Sequence, residues 1–153
     1  MKKIFKIRLI LFMILLTISS SYPQQNNLTT KFNEKTKNQN ISSSHIFNSI
    51  EQGIVKGEVS LLSAYFNNQT YFSLSNGING YYSSNQAFYL LEDFFKLFKV
   101  ISFRFNNIKE HKSNPYATGV YFYEYKGKRA AAQVYVSLTR VGNNWKITQI
   151  TIN

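Results

Sequence analysis

Apolar residues at helical spacing mark the first elements of a folded domain. In the segment 45–57 the apolar positions that recur every three or four residues are Ile46, Phe47, Ile50 and Ile54. This spacing predicts a helix, and Gly57 provides its stop. The next segment, 58–66, repeats the pattern and predicts a second short helix.

A capping signature predicts a third helix. Ser83 is followed three residues later by Gln86, which is the pattern of a capping box. The apolar face of this helix consists of Ala87, Leu91, Phe94, Phe95 and Phe98. Before it, weak alternation predicts a short strand over residues 70–74, ended by a turn at residues 75–77.

From residue 101 onward the chain alternates with the two-residue period of β-strands. A first strand places Ile101, Phe103 and Phe105 on one side. The segments 116–125 and 128–140 flank Lys126-Gly127, a pair that favours a tight hairpin. We expect Glu124 to lie opposite Arg129 in this hairpin, as an oppositely charged cross-strand pair.

This register divides the hairpin into two faces. The face expected under the helices carries large rings beside small methyl groups: Tyr121, Tyr123, Tyr125, Ala130, Ala132, Val134, Val136 and Leu138. The outer face mixes polar and aromatic groups: Thr118, Val120, Phe122, Glu124, Arg129, Gln133, Tyr135, Ser137 and Thr139.

A second hairpin is predicted through Gly142-Asn143, with Arg140 opposite Trp145 and Leu138 opposite Ile147. Strict alternation after Ile147 would turn the last isoleucines outward. A β-bulge near Thr148-Gln149 would return Ile150 and Ile152 to the core.

The N-terminal residues have the composition of an export signal. Four basic residues precede an apolar run over residues 9–18 and three serines. The run is shorter than the roughly 20 residues of a membrane-spanning helix, although an uncleaved anchor is an alternative. We expect a signal peptide at 1–21, a disordered polar linker at 22–44 and a folded domain at 45–153. The exported chain would be periplasmic or extracellular, with no membrane association after cleavage.

Composition removes several classes of function. The chain has no cysteine, which excludes disulfides and thiolate metal sites. Its formal charge is +11, but four of the eighteen basic residues lie in the predicted signal and the others are scattered. Nucleic-acid binding would require them to cluster on one face, so we expect none.

The order of elements, from about His45 to Asn153, resembles the nuclear transport factor two-like superfamily. More narrowly, the chain resembles a family of small exported bacterial proteins that is classed as a domain of unknown function, in the segments GEVSLLSAYF, YYSSNQAFYLLEDFF, ATGVYFY and RAAAQVYVSLTRVGNNWKITQITIN. The specific residues are Gln86, Ala87, Phe94, Phe95 and Gly119. The resemblance implies an α+β fold with a curved antiparallel sheet of about four main strands packed on three N-terminal helices. It is nearly silent on activity, because these are packing and backbone residues.

Catalytic chemistry is poorly represented. Enzymes of the superfamily use an Asp or His base in a cone-shaped cavity, whereas the predicted inner face offers tyrosines. Glu92 and Asp93 are the only acids near it, and a solvated helix flank is the favoured explanation for them. No ligand spacing predicts a metal site or a cofactor, and we assign no catalytic residue.

Two hypotheses remain for the function. In the first, the protein is a non-catalytic binding or scaffolding module that forms a homodimer or binds a protein partner through Val120, Phe122 and Tyr135 on the outer face. In the second, it is a carrier of a small apolar ligand, or an isomerase or dehydratase, with a cavity lined by Tyr121, Tyr123 and Ala132.

Overall fold

Three helices and six strands follow one another along residues 42–153, the part of the chain that the computed structural model describes. The helices are α1 (Ser43–Lys56), α2 (Ser60–Ser63) and α3 (Ser84–Leu97). The strands are β1 (Phe66–Leu74), β2 (Asn79–Ser83), β3 (Lys99–Lys109), β4 (Tyr116–Tyr125), β5 (Lys128–Val141) and β6 (Asn144–Ile152). The predicted signal peptide, and the predicted linker up to residue 41, lie outside the described residues.

The strands form one sheet in the order β2-β1-β6-β5-β4-β3. All neighbours are antiparallel except β1 and β6, which run parallel. The predicted α+β class is therefore confirmed. The predicted four main strands are joined by two more at the β1 side, because β1 is longer than expected and pairs with the unpredicted β2.

The region between α1 and α3 differs most from the sequence prediction. The second helix is only four residues long, and β1 begins at Phe66, within the segment predicted to be helical. Asn79 and Gly80 open β2, and both residue types are depleted in strands, which hid this element. Pairing with β1 supplies the hydrogen bonds that local sequence does not predict.

The helix ends follow local capping chemistry. The α1 helix begins two residues before the predicted His45, because the Ser42 side chain accepts a hydrogen bond from the Ser44 amide. It ends at Gly57, whose φ of 64° is the left-handed conformation that glycine adopts without strain. The capping box of α3 is confirmed, since the Ser83 side chain accepts from the Gln86 amide and the Gln86 side chain accepts from the Ser83 amide.

The β4–β5 hairpin has the predicted register, with Glu124 opposite Arg129. Its turn residues Lys126 and Gly127 both have positive φ, as a two-residue hairpin turn requires. The β5–β6 hairpin also confirms the predicted bulge. Leu138 pairs with Ile147 and Ser137 with Gln149, so Thr148 is the extra residue.

A bulge in β3 was not predicted and changes the side on which Ile101 lies. The pairs Val100–Tyr123 and Ser102–Phe122 leave Ile101 as the extra residue. Its side chain is therefore 47% exposed, whereas Phe103 is buried as expected.

The core lies between the helices and the inner face of the sheet. All five residues of the predicted α3 face are buried, and the Phe94 and Phe95 rings lie 6.1 and 6.2 Å from the Tyr121 ring. Beside the second irregular step of the β3–β4 pairing, the two backbones come so close that only glycine fits at position 119. A Cβ at this position would collide with the carbonyl oxygen of Arg104.

Candidate functional site

Tyr121, one of the residues predicted to line a cavity, is packed among other aromatic rings in the core. Its side chain is fully buried, and its ring lies 6.5 Å from the Phe103 ring in addition to the two α3 phenylalanines. Its hydroxyl donates a hydrogen bond to the carbonyl oxygen of Phe98. The group that could have donated to a ligand is therefore bonded to the backbone at the end of α3.

Burial raises the pKa of Tyr121, and the neighbouring Tyr123 adds to the effect. The cause is the loss of solvation that a phenolate would suffer in the core. Tyr121 is consequently neutral near pH 7, with its proton held in an internal hydrogen bond.

The other two predicted lining residues occupy less enclosed positions. Ala132 is opposite Tyr121 in the sheet and is buried against it. Tyr123 is half-buried, stacks on Tyr121 at 5.5 Å and meets the Phe98 ring edge-on at 5.2 Å. The structure thus brings the three residues together, as parts of an aromatic core.

The acids that sequence analysis singled out lie on the outside of α3. Lys96 forms a 2.9 Å ion pair with Glu92 and a 3.7 Å pair with Asp93, and all three side chains are exposed. These contacts raise the pKa of Lys96, with the Glu92 hydrogen bond as the main cause. They are helix-surface pairs at three- and four-residue spacing.

One acid that the sequence analysis missed lies closer to the sheet. Glu51 of α1 accepts a hydrogen bond of 2.7 Å from the backbone amide of Phe105, on the edge strand β3. The Phe47 and Phe105 rings meet beside it at 5.8 Å. Helical spacing of four residues from Phe47 could have indicated that Glu51 shares its side of α1. The carboxylate caps an edge amide and joins the helix to the sheet.

The outer face of the sheet keeps apolar side chains in solvent. Phe122 is 47% exposed, and beside it lies a groove of about 550 Å³ lined by Ile101, Ser102, Phe122, Arg129, Ala130 and Ala131. We call Ile101, Phe122 and Ala131 the outer apolar patch. Ile101 was missed because only the β3 bulge moves it to this side, and Ala131 because alanine is a weak signal.

The three predicted interface residues share the outer face but have different neighbours. Val120 lies two residues from Phe122 on the same strand and opposite Gln133. Tyr135 lies opposite Thr118, and its ring stacks on Tyr116 at 5.6 Å, toward the end of β4 remote from Phe122. The patch therefore centres on Phe122, with Val120 beside it and Tyr135 at a distance.

Charged residues border the outer apolar patch. Glu124 pairs in the sheet with Lys99 on one side and with Arg129 on the other. Among residues 42–153, the ion pairs shorter than 4 Å are those of Lys96 with Glu92 and Asp93. The carboxylate of Glu124 and the guanidinium of Arg129 are thus neighbours without an ion pair between them.

Clusters of metal-ligating side chains and membrane-spanning helices were both sought in residues 42–153. Across residues 42–153, no three His, Asp or Glu side chains are grouped so that they could hold a metal ion. His45 is exposed at the start of α1, and His111 stacks on the Tyr116 ring at 5.9 Å. Over the same residues, no helix is long and apolar enough to cross a membrane.

Comparison with known proteins supports the fold and one family. The family model described as Domain of unknown function (DUF4783) matches residues 47–153. A crystal structure of a DUF4783 family protein from Bacteroides uniformis is 19% identical, with a TM-score of 0.63 over 69% of this chain and 94% of that chain. One from Bacteroides ovatus is 20% identical, with a TM-score of 0.61 over 68% and 90%. No curated protein matches the chain.

A more distantly related structure shares the fold. A hypothetical protein with a ketosteroid isomerase-like fold from Catenulispora acidiphila, in complex with trimethylamine, is 13% identical. Its TM-score is 0.57 over 71% of this chain and 83% of that chain. At this identity the likeness concerns the fold alone.

Proposed function

Because the chain belongs to the DUF4783 family and has the nuclear transport factor two-like fold, we propose a function from its own surfaces: a non-catalytic binding or scaffolding module that self-associates through the outer face of the sheet. The observation that carries this proposal is the contrast between the two faces. The inner face buries Tyr121 completely, while the outer face leaves Phe122 and Ile101 each 47% exposed.

The outer apolar patch has the composition of an interface. Two large apolar side chains, one from β3 and one from β4, lie next to a groove and are bordered by polar and charged residues. An apolar centre with a polar rim is the usual arrangement of a protein interface. Burying such a patch removes apolar surface from water, which favours association.

A second copy of the chain is the proposed partner, because the charges beside the patch are self-complementary. Glu124 and Arg129 lie side by side, and their charged groups form no ion pair with each other. In a two-fold dimer each surface meets its own copy, and an axis that passes between these two residues would bring Arg129 of one protomer opposite Glu124 of its partner. The excess of basic residues opposes association, but salt screens exposed charges over about 8–10 Å.

The competing function, a ligand carrier or an acid–base enzyme of the inner face, receives less support. Such chemistry needs a base within hydrogen-bond reach of a bound substrate. In the described part of the chain, the Tyr121 hydroxyl is bonded to the Phe98 carbonyl, and the Glu51 carboxylate accepts a hydrogen bond from the Phe105 backbone amide.

We also propose that the module acts in the periplasm or outside the cell. The basis is the sequence of residues 1–21, in which a basic start, an apolar run and small residues follow in the order of an export signal. Expression in a bacterial host followed by N-terminal sequencing of the exported chain tests this. A mature terminus at Tyr22 is expected, and retention of the full signal in the membrane fraction would contradict it.

The mass of the exported chain in solution tests self-association. Light scattering at moderate salt and high micromolar concentration should give twice the chain mass for the wild type and the chain mass for Phe122→Glu. Tyr89→Glu is the matched control, since it also replaces an exposed aromatic ring by a carboxylate, on α3, and should leave the dimer intact. A monomeric wild type would contradict the homodimer, and a dimer unaffected by Phe122→Glu would place the interface elsewhere.

A further inference from the structure

A second groove opens on the same outer face but at the opposite end of the sheet, where β1 separates from β6. The pairs Phe66–Ile147 and Tyr71–Gln149 leave four residues of β1, 67–70, facing the single residue Thr148 of β6. Irregular pairing of this kind turns side chains away from their regular positions and is frequent beside binding sites. Here it forms a groove of about 550 Å³, which we call the β1–β6 groove.

The lining of the β1–β6 groove carries no formal charge. It consists of Asn67, Gln69, Tyr71, Tyr81, Thr148 and Gln149. In a chain with a formal charge of +11, a lining made only of amides, a hydroxyl and phenol rings is a distinctive surface. It offers no charged group that would offset the desolvation of an ionic ligand.

Two tyrosine rings form one wall: a hydrogen bond holds the Tyr71 ring, and the Tyr81 ring packs against it. Tyr71 and Tyr81 are cross-strand neighbours whose rings meet edge to face at 5.2 Å. The Tyr71 hydroxyl donates a hydrogen bond of 2.9 Å to the Asn79 side-chain oxygen. Tyr81 is 70% exposed, so the structure leaves an aromatic surface in solvent beside a fixed partner. Such a ring combines an apolar face with a polar tip.

The polar groups of the groove can both donate and accept hydrogen bonds. Each side-chain amide has two N–H donors and a carbonyl acceptor. The Gln149 amide donates to the Thr151 hydroxyl at 3.1 Å, which fixes its direction. Within residues 42–153, the hydrogen bonds of the structure leave the Gln69 amide without a side-chain partner, so it can bind a ligand.

We propose that the β1–β6 groove binds a neutral saccharide. A sugar ring has an apolar C–H face that fits against an exposed aromatic ring, and adjacent hydroxyls that both donate and accept, as amides require. An ionic ligand does not match the uncharged lining. An extended peptide adds to a free strand edge, and the free edges of this sheet are those of β2 and β3, whereas five of the six lining residues belong to the interior strands β1 and β6.

Binding is measured by backbone-amide NMR shifts of the exported chain, titrated with three neutral sugars: maltotetraose, cellotetraose and tetra-N-acetylchitotetraose. Titration to about 20 mM reaches millimolar dissociation constants, which are the weak end of specific binding. The expected result is that at least one sugar shifts the amides around Gln69, Tyr81 and Gln149. The dissociation constant should change little between low and high salt, because no charge pair contributes.

Tyr81→Ala should raise the dissociation constant about tenfold or more, since it removes the exposed stacking surface. Tyr89→Ala is the matched control, because Tyr89 is also exposed, at 64%, but lies on α3 outside the groove. Absence of groove shifts with all three sugars, or equal affinity in wild type and Tyr81→Ala, would overturn the proposal. The titration repeated on Phe122→Glu separates sugar binding from self-association, which involves the β3–β4 end of the same face.

Discussion

The hydroxyl of Tyr121 donates a hydrogen bond to the carbonyl oxygen of Phe98, and this bond joins the middle of β4 to the end of α3. The donor is fully buried, so water cannot replace it. The hydroxyl of Tyr121 therefore connects helix and sheet inside the core.

Removal of that hydroxyl should destabilise the domain. Tyr121→Phe keeps the ring but deprives the Phe98 carbonyl of its donor, which should lower the free energy of unfolding by about 1–3 kcal/mol. Urea denaturation measures the loss. Tyr89→Phe, at an exposed position of α3, should stay within about 0.5 kcal/mol of the wild type. Equal stability of wild type and Tyr121→Phe would show that the bond is unimportant.

The burial of the Tyr121 phenol also predicts that the stability of the domain depends on pH. Burial raises the pKa of Tyr121 in the folded state above the ordinary value of 10.0, so the unfolded chain loses this proton first. Stability from this group is full below pH 10 and falls above it, by about 1.4 kcal/mol per pH unit until the folded-state pKa is reached. The advantage of wild type over Tyr121→Phe should therefore shrink above pH 10. A gap that is constant from pH 9 to 12 contradicts the burial of the phenol.

Gly119→Ala should be costly although it adds one methyl group. The new Cβ would collide with the Arg104 carbonyl oxygen, a backbone atom that cannot rotate away. Overpacking of this kind costs about 1–3 kcal/mol or more in unfolding free energy. Thr118→Ala, on the outer face of the same strand, should cost less than about 1 kcal/mol. Thermal or urea denaturation of both variants checks the order, and a tolerated Gly119→Ala would contradict the close approach of β3 and β4.

Buried and exposed phenylalanines should respond differently to truncation. Phe94 has no exposed surface and contacts Tyr121, so Phe94→Ala should lower the unfolding free energy by about 3–5 kcal/mol. Phe122→Ala removes a half-exposed ring and should cost less than about 1 kcal/mol when measured on the monomer at low concentration. Similar losses for both variants would mean that the two faces of the sheet are wrongly assigned.

Elements with strong local signals could be predicted from the sequence. The capping box at Ser83 and Gln86, and the Lys126-Gly127 turn, depend on interactions within four residues. The bulge at Thr148 could be inferred because strict alternation would have exposed Ile150. In each case the interactions that select the structure are made by residues that lie close together in the sequence.

Features that depend on distant strands could not be predicted. The bulge at Ile101 is set by pairing with β4, and the parallel contact of β1 with β6 joins residues about 80 positions apart. Glu51 binds an amide 54 residues away. The outer apolar patch and the β1–β6 groove both arise from such irregular pairings, so their residues carry little signal in the sequence alone.

The central claim, self-association through the outer face, is tested most directly by distances between copies. The chain has no cysteine, so a nitroxide can be placed at one introduced cysteine: Gln133→Cys, opposite Val120 on the outer face, or Tyr89→Cys on α3. Pulsed dipolar EPR on each labelled dimer measures the separation of the two nitroxides. We predict a shorter distance for the Gln133→Cys label than for the Tyr89→Cys label, because Gln133 borders the outer apolar patch. A shorter distance at Tyr89→Cys, or no dipolar coupling at either site, would contradict it.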